Sequence, residues 1–164
     1  MIVAYRDHAQ TEFLNVDLDV EAAYDLAPLA KAFGPAVLVL YCGKAKRGYV
    51  ARIELARQPK TPDEAIGRLT ARVARLPPFA RRLWRLAKRR DFSIGVQSGS
   101  KPWCSEFALR PATLASAARL DARITLTVYG EPRGVISPGV PGSDAPLTKG
   151  LQRTKPARAR ESRR

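Results

Sequence analysis

The hydrophobic pattern of the chain changes period several times, and each change predicts an element of secondary structure. Alternation of apolar and polar residues predicts half-buried strands over 13–20, 49–57, 92–97 and 123–129. Residues 36–42 are apolar without interruption, which is typical of a central strand covered on both faces. A short additional strand is expected over 105–109.

Helical periodicity occurs between these strands. A short helix is expected to end at Phe33, because Gly34 suits the position that terminates a helix. A later helix is expected to open at Pro111, with Leu114 and Ala117 facing inward. The longest helical period lies between these two, over 61–90.

The stretch 61–90 predicts two helices separated at a pair of prolines. Thr61 and Glu64 have the spacing of a capping box, so the first helix should begin just after Thr61. Pro77 and Pro78 interrupt the backbone hydrogen bonds, so a second helix should begin near Phe79. The expected buried side of the second helix comprises Phe79 or Ala80, Leu83, Trp84 and Ala87.

The order of elements, β-α-β-β-α-α-β-β-α-β, predicts an α+β domain over 13–131. We expect a mostly antiparallel sheet with helices packed on one face, in a weakly two-fold variant of the ferredoxin-like fold. Residues 1–12 are weakly patterned and are expected to form an N-terminal arm. Residues 132–164 are rich in Pro, Gly, Ser, Thr and Arg, with eight cations against two acids, and predict a disordered basic tail.

Charge is unevenly distributed along the 164 residues, whose formal net charge is +14. Residues 1–43 hold two cations against six acids, whereas residues 44–90 hold fifteen cations against three acids. Such segregation favours an oriented anionic partner over a general contribution to solubility. Nucleic acid, an acidic protein surface and anionic lipid all fit this charge.

The candidate binding residues are cations on the two central helices. They comprise Arg68, Arg72, Arg75, Arg81, Arg82, Arg85, Lys88 and Arg89. Arg81, Arg85 and Lys88 follow at i, i+4 and i+7 with no acid among residues 81–90, so a solvated face of this kind would repel itself. Guanidinium groups suit phosphate oxygens and give salt-dependent affinity, but they position a backbone and read no bases.

Other chemistry has weaker support. Asp17, Asp19 and Glu54 are expected on one sheet face, where cross-strand pairing with Arg52 explains them better than a Mg²⁺ or Mn²⁺ site does. No GxSxG, GxGxxG or GxxxxGK[ST] motif occurs, and the sole histidine, His8, lies in the predicted arm. We therefore expect no catalytic residue, no metal and no cofactor.

The two cysteines, Cys42 and Cys104, show no metal-ligand spacing. No apolar run reaches the roughly 18 residues that a membrane span requires, and the N-terminal apolar stretch is short for a signal peptide. These features indicate a cytoplasmic protein without membrane association.

One resemblance covers about residues 13–130. The runs LPPFARRLWRLAKRRDFSIGVQSG and LRPATLASAARLDARITLTVY, with FLNVDLDV and DLAPLAKAFG before them, resemble a group of small bacterial proteins that share a domain of unknown function. The resemblance implies a fold and carries no functional residues. Arg85 departs from the pattern, which has an acid there.

Two functions follow as hypotheses. The first is a non-enzymatic module that binds a polyanion, with nucleic acid backbone favoured, through the central helices and the basic tail. The alternative is an immunity or antitoxin type of protein that covers an acidic protein partner. The oligomeric state is left open.

Overall fold

The computed structural model describes residues 10–130, and these contain five strands and four α-helices. The strands are β1 (Glu12–Ala22), β2 (Val37–Ala45), β3 (Gly48–Leu55), β4 (Arg89–Gln97) and β5 (Arg123–Tyr129). The helices are α1 (Ala27–Ala32), α2 (Pro62–Ala74), α3 (Pro78–Leu86) and α4 (Pro111–Arg119), and a 3-10 turn, Gly34–Ala36, precedes β2.

The five strands form one sheet in the order β2-β3-β1-β4-β5. The β1–β3, β1–β4 and β2–β3 pairs are antiparallel, and only the β4–β5 pair is parallel. The first four strands follow the split β-α-β-β-α-β connection, and α4 carries the chain to β5 at the edge beside β4. The predicted α+β fold with a mostly antiparallel sheet is confirmed.

One face of the sheet packs against the helices, which we call the helix layer (α1 to α4). Val16, Leu18 and Val20 of β1 are fully buried on this face, as their alternation predicts. Ile66 and Leu69 of α2 pack into the same core. We call the opposite sheet face, which carries the polar residues of β1, the polar face.

The predicted start signals of α2 and α3 are correct. The Glu64 N–H donates to Thr61 Oγ1 at 3.3 Å, and Thr61 has the extended backbone of an N-cap. Helix α3 begins at Pro78, one residue before the predicted start. Its buried residues include Ala80 and Trp84, whereas Phe79 points to solvent.

The position of β2 contradicts the expectation of a central strand. It lies at the edge of the sheet, with Leu38, Leu40 and Tyr41 each about half exposed. The apolar run therefore reflects an edge strand, packed in part by α1, with a register shift between Val39 and Tyr41. Apolar composition alone did not distinguish the two positions.

Three further expectations need correction. Residues 105–109 form no strand, because they lie in the long connection to α4 and have no strand partner. Leu114 is nearly half exposed, since α4 buries Thr113 and Ala117. The strand β1 begins at Glu12, inside the predicted arm; residues 1–9 and the predicted tail over 132–164 lie outside the described part of the chain.

The β2–β3 hairpin has a tight connection. Only Lys46 and Arg47 separate the two strands. Gly48 has a φ of +106°, and a Cβ atom there would lie 2.2 Å from the carbonyl oxygen of Ala22. Glycine is therefore required at this position by both its conformation and the close approach of β1.

Candidate nucleic-acid interface

The cations of α2 differ in whether a carboxylate already neutralises them. Arg68 forms an ion pair with Glu64 one turn earlier, at 2.5 Å. Arg72 and Arg75 are exposed, and neither guanidinium has a hydrogen-bond or ion-pair partner among residues 10–130. Together with Arg57 they border a groove of about 310 Å³ beside the end of β3.

The cations of α3 have no acidic neighbour on their own helix. Arg81, Arg82 and Arg85 are exposed and form no ion pair within the described part of the chain. They follow Pro78, whose missing N–H is no loss at the first helical position. The helix therefore presents its positive charge to solvent or to a partner.

Lys88 does not continue the α3 face, contrary to the predicted i, i+4, i+7 row. The helix ends at Leu86, and Ala87 has an extended backbone with a ψ of 143°. The Lys88 N–H then donates to the Glu21 carbonyl at 2.8 Å, which places Lys88 beside β1. Its side chain is exposed and unpaired within residues 10–130.

Arg89 lies on the polar face, away from the six predicted arginines of α2 and α3, although it shares a cavity with Lys88. Its guanidinium pairs with Glu21 at 3.0 Å and with Asp91 at 2.8 Å. Arg89 is the first residue of β4, and its side chain points to the face opposite to that of Arg90, because successive side chains of a strand alternate. Arg89 is therefore a structural cation of the sheet, and we remove it from the candidate interface.

Arg81 and Arg85 line a cleft of about 540 Å³ between α2, α3 and the end of α4, which we call the arginine cleft. Its complete lining comprises Val73, Ala74, Pro78, Arg81, Trp84, Arg85, Arg90, Arg119, Leu120 and Asp121. Trp84 is 3% exposed, and its Nε1–H donates to the Leu120 carbonyl at 3.2 Å. This bond joins α3 to the chain that follows α4.

Arg90 forms the fixed part of this cleft. Its Nη1 donates to the carbonyls of Trp84 and Arg85 at 3.1 and 3.2 Å, and its Nη2 pairs with Asp121 at 2.7 Å. Its Nε is buried and has no partner among the described residues. These bonds close the end of α3, whose last carbonyls need donors.

On the polar face, cations and carboxylates are matched across strands. Arg52 of β3 pairs with Asp19 of β1 at 2.8 Å, as predicted. Asp91, whose side chain is 1% exposed, accepts from Arg89, Arg123 and Thr125. Burial alone would raise the pKa of Asp91, but these hydrogen bonds outweigh it and lower the pKa.

Asp17 has the most perturbed carboxyl of the polar face. Its pKa is raised from 3.8 to about 6, chiefly by burial and further by the charges of Asp19 and Glu54, while Arg52 opposes the rise. Asn15 Nδ2 donates to Asp17 Oδ1 at 3.0 Å. Within residues 10–130, no group of three metal-ligating side chains is arranged to hold a metal ion.

The sequence reasoning missed Arg57, Arg90 and Arg119 as neighbours of the candidate residues. Arg119 ends α4 and reaches the arginine cleft from the opposite side to α3. The sequence signal for Arg119 is a cation in the last turn of a predicted helix. This signal could be used only once the packing of α4 against α2 was known. Two exposed tyrosines, Tyr41 and Tyr129, lie on the sheet, in register with Arg52 and Gln97.

No protein-family model, curated protein or solved structure matches this chain. The resemblance to a bacterial domain of unknown function therefore stays a prediction. Among residues 10–130, no helix has the length and apolar character needed to cross a membrane.

Proposed function

We propose that the protein is a non-enzymatic module that binds the phosphate backbone of nucleic acid through its helix layer. The observation that supports this proposal is that several exposed cations lack the ion pairs with carboxylates that the cations of the polar face form. Five exposed arginines on the central helices or at their ends, and Lys88 just after α3, have no carboxylate partner within the described residues, and we call these six the free helix-layer cations: Arg72, Arg75, Arg81, Arg82, Arg85 and Lys88.

The free helix-layer cations suit a backbone contact for two reasons. Most of them are arginines, whose planar forks match phosphate oxygens in two-point hydrogen bonds. Their backbone is also already ordered in the fold, so binding costs little backbone conformational entropy. The basic residues of 132–164 would extend the same contact along the strand.

The test is nucleic-acid binding by the full chain at several salt concentrations, measured by fluorescence anisotropy with a short labelled RNA and a duplex DNA. We expect a dissociation constant of about 10⁻⁴ to 10⁻⁶ M near physiological salt, with log affinity falling linearly against log salt. Replacing Arg72, Arg75 and Arg82 by Gln, the outer variant, should reduce the slope by about 2 to 3.

The matched control removes the same charge from the β2–β3 hairpin. Lys44, Lys46 and Arg47 are exposed and unpaired within residues 10–130, so their replacement by Gln changes net charge equally. If this hairpin variant weakens binding as much as the outer variant, net charge alone explains the affinity and the proposed interface is wrong. A flat salt response in the unmodified protein would also contradict it.

A protein partner is the second candidate, because two large apolar side chains interrupt the charged surface of α3. Phe79 and Leu86 are 57% and 59% exposed. Aromatic residues and arginines together are typical of protein interfaces. An acidic protein captured from cell extract after nuclease treatment, and lost when Phe79 and Leu86 are replaced by Ser, would favour this candidate over nucleic acid.

We also propose a cytoplasmic location for this activity. Nucleic acid is accessible there, and the two cysteines, Cys42 and Cys104, are free thiols that a reducing compartment maintains.

A further inference from the structure

The arginine cleft combines apolar and cationic surface in one concavity. Pro78, Trp84 and Leu120 supply apolar surface, while Arg81, Arg85 and Arg119 come from two facing helices. Its volume of about 540 Å³ lies within the range of about 300–1,000 Å³ that small-ligand sites occupy. The exposed cations outside this cleft suit a passing backbone, whereas the cleft suits a group that enters it.

The charge of the cleft matches a phosphate monoester better than an internal phosphodiester. Four guanidinium groups line it, from Arg81, Arg85, Arg90 and Arg119, against the single carboxylate of Asp121. That carboxylate is already committed to Arg90. A monoester carries about −1.5 to −2 at neutral pH, whereas a backbone diester carries a single negative charge.

The four arginines divide into one fixed charge and three available forks. Arg90 is held by the carbonyls of Trp84 and Arg85 and by Asp121, so its guanidinium is a fixed part of the cleft lining. Arg119 donates one bond, from Nη2 to Ser116 Oγ at 2.9 Å, and keeps its other donors. Arg81 and Arg85 have no partner among residues 10–130, so both forks remain available to a ligand.

We propose that the arginine cleft binds the phosphate monoester of a nucleotide, with the base against the apolar wall of Pro78 and Leu120. The nucleotide is either the phosphorylated end of a nucleic acid strand or a free mononucleotide. For the strand end the proposal rests on the proposed function, and for the free nucleotide it stands independently.

Trp84 allows occupancy of the cleft to be measured directly. The chain has two tryptophans, and the other, Trp103, is 99% exposed. In a Trp103→Phe background, emission excited at the red edge of the indole band therefore reports only Trp84. Adenosine 5′-monophosphate should change this emission in a saturable manner, with adenosine and inorganic phosphate each binding at least about tenfold more weakly. Equal responses to adenosine and to the monophosphate would overturn the proposal.

Charge-matched variants locate the site. Replacing Arg81 and Arg85 by Gln should weaken the monophosphate response by about tenfold or more, while replacing Arg72 and Arg82 by Gln should leave it within about twofold. Lys at 81 and 85 keeps the charge without the fork and should restore part of the affinity. An unchanged response in the Arg81→Gln, Arg85→Gln variant, with its fold verified by circular dichroism, would refute the assignment.

The strand-end source is tested with oligonucleotides of one sequence that end in a 5′-phosphate, a 3′-phosphate or hydroxyls only. We expect tighter binding of a phosphorylated strand, a preference abolished by Arg81→Gln with Arg85→Gln and retained in the outer variant. Salt-dependent binding without any end preference or Trp84 response would overturn the cleft and leave the proposed function standing. A Trp84 response without oligonucleotide binding would contradict the proposed function and would assign the cleft to free nucleotides.

Discussion

The two faces of the sheet hold similar residues in opposite electrostatic arrangements. On the polar face, Arg52, Arg89 and Arg123 each pair with a carboxylate of a neighbouring strand or of their own strand. On the helix layer, the six free helix-layer cations have no such partner within residues 10–130. Arginine therefore completes ion pairs across the polar face, whereas the arginines of the helix side divide into paired ones, such as Arg68 and Arg90, and unpaired ones that stay available to a ligand.

The difference follows from how the two elements place their neighbours. Antiparallel register puts Arg52 directly opposite Asp19, so the strand sequences supply each other's counter-charges. A helix surface draws its partners from positions three and four residues away, and α3 contains no acid at any position. Cations on α3 therefore have no carboxylate partner among residues 10–130 and are available to a ligand.

The largest expected effect comes from breaking the pairing on the polar face at Asp91. Asp91→Asn removes the charge that Arg89 and Arg123 share and leaves a buried amide in its place. We expect the free energy of unfolding to fall by about 2–3 kcal/mol, measured by urea denaturation at neutral pH.

Asp121→Asn is the matched control for Asp91→Asn. Asp121 also pairs with an arginine, but its side chain is 87% exposed, and Asn tolerates its positive φ of 51°. The expected loss is below about 1 kcal/mol. Equal losses at positions 91 and 121 would show that burial does not distinguish these pairs.

A charge reversal on each face sharpens the comparison through binding and stability together. Arg82→Glu should lower nucleic-acid affinity about tenfold and change the free energy of unfolding by no more than about 0.5 kcal/mol, since it relieves repulsion with Arg85. Arg52→Glu should lower the free energy of unfolding by about 1–2 kcal/mol, because it adds an acid beside Asp17 and Asp19. Its effect on nucleic-acid affinity should be much smaller than that of Arg82→Glu. Anisotropy titrations and urea denaturation measure the two quantities. Parallel behaviour of the two variants would contradict the division of roles.

Much of the helix layer was predictable from sequence because its signals are local. The cap at Thr61, the break at Pro77 and the buried stripe from Ile66 to Leu69 depend on residues within two turns of one another. The edge position of β2 was not predictable, since it arises because the other side of β3 pairs with β1 and no strand among residues 10–130 pairs with the free side of β2. The order of strands in a sheet is a long-range property that an apolar run does not encode.

The candidate site was predictable only in part, for the same reason. Arg81 and Arg85 lie on the exposed side of α3 as their spacing predicts. Arg89 was misplaced because its face depends on where α3 ends and β4 begins, a boundary set by the bond from Lys88 N–H to Glu21. Arg119 was missed because only the packing of α4 beside α2 brings it to the cleft.

A smaller effect is expected from Asp17, whose carboxyl the polar face does not fully neutralise. Its pKa in the folded protein, about 6, exceeds the ordinary 3.8, so the folded state takes up the proton first. The stability contributed by this group is therefore lost as pH rises from about 4 to about 6. Asp17→Asn should raise the free energy of unfolding by about 1 kcal/mol above pH 7 and have no effect near pH 4. Thermal unfolding at both pH values measures this, and a stabilisation that is equal at the two would refute the cause.

The smallest expected effect separates two arginines of one helix that differ only in pairing. Arg68 is neutralised by Glu64, whereas Arg72, one turn later, has no partner among residues 10–130. Arg68→Gln should cost about 0.3–0.5 kcal/mol of stability and leave the salt dependence of nucleic-acid binding almost unchanged. Arg72→Gln should cost no stability and reduce the salt slope by about 0.7–0.9, because under the proposed function a backbone phosphate takes the place that Glu64 occupies beside Arg68. If both substitutions reduce the slope equally, pairing inside the fold does not determine which cations are available to a ligand, and the contrast between the two faces loses its functional meaning.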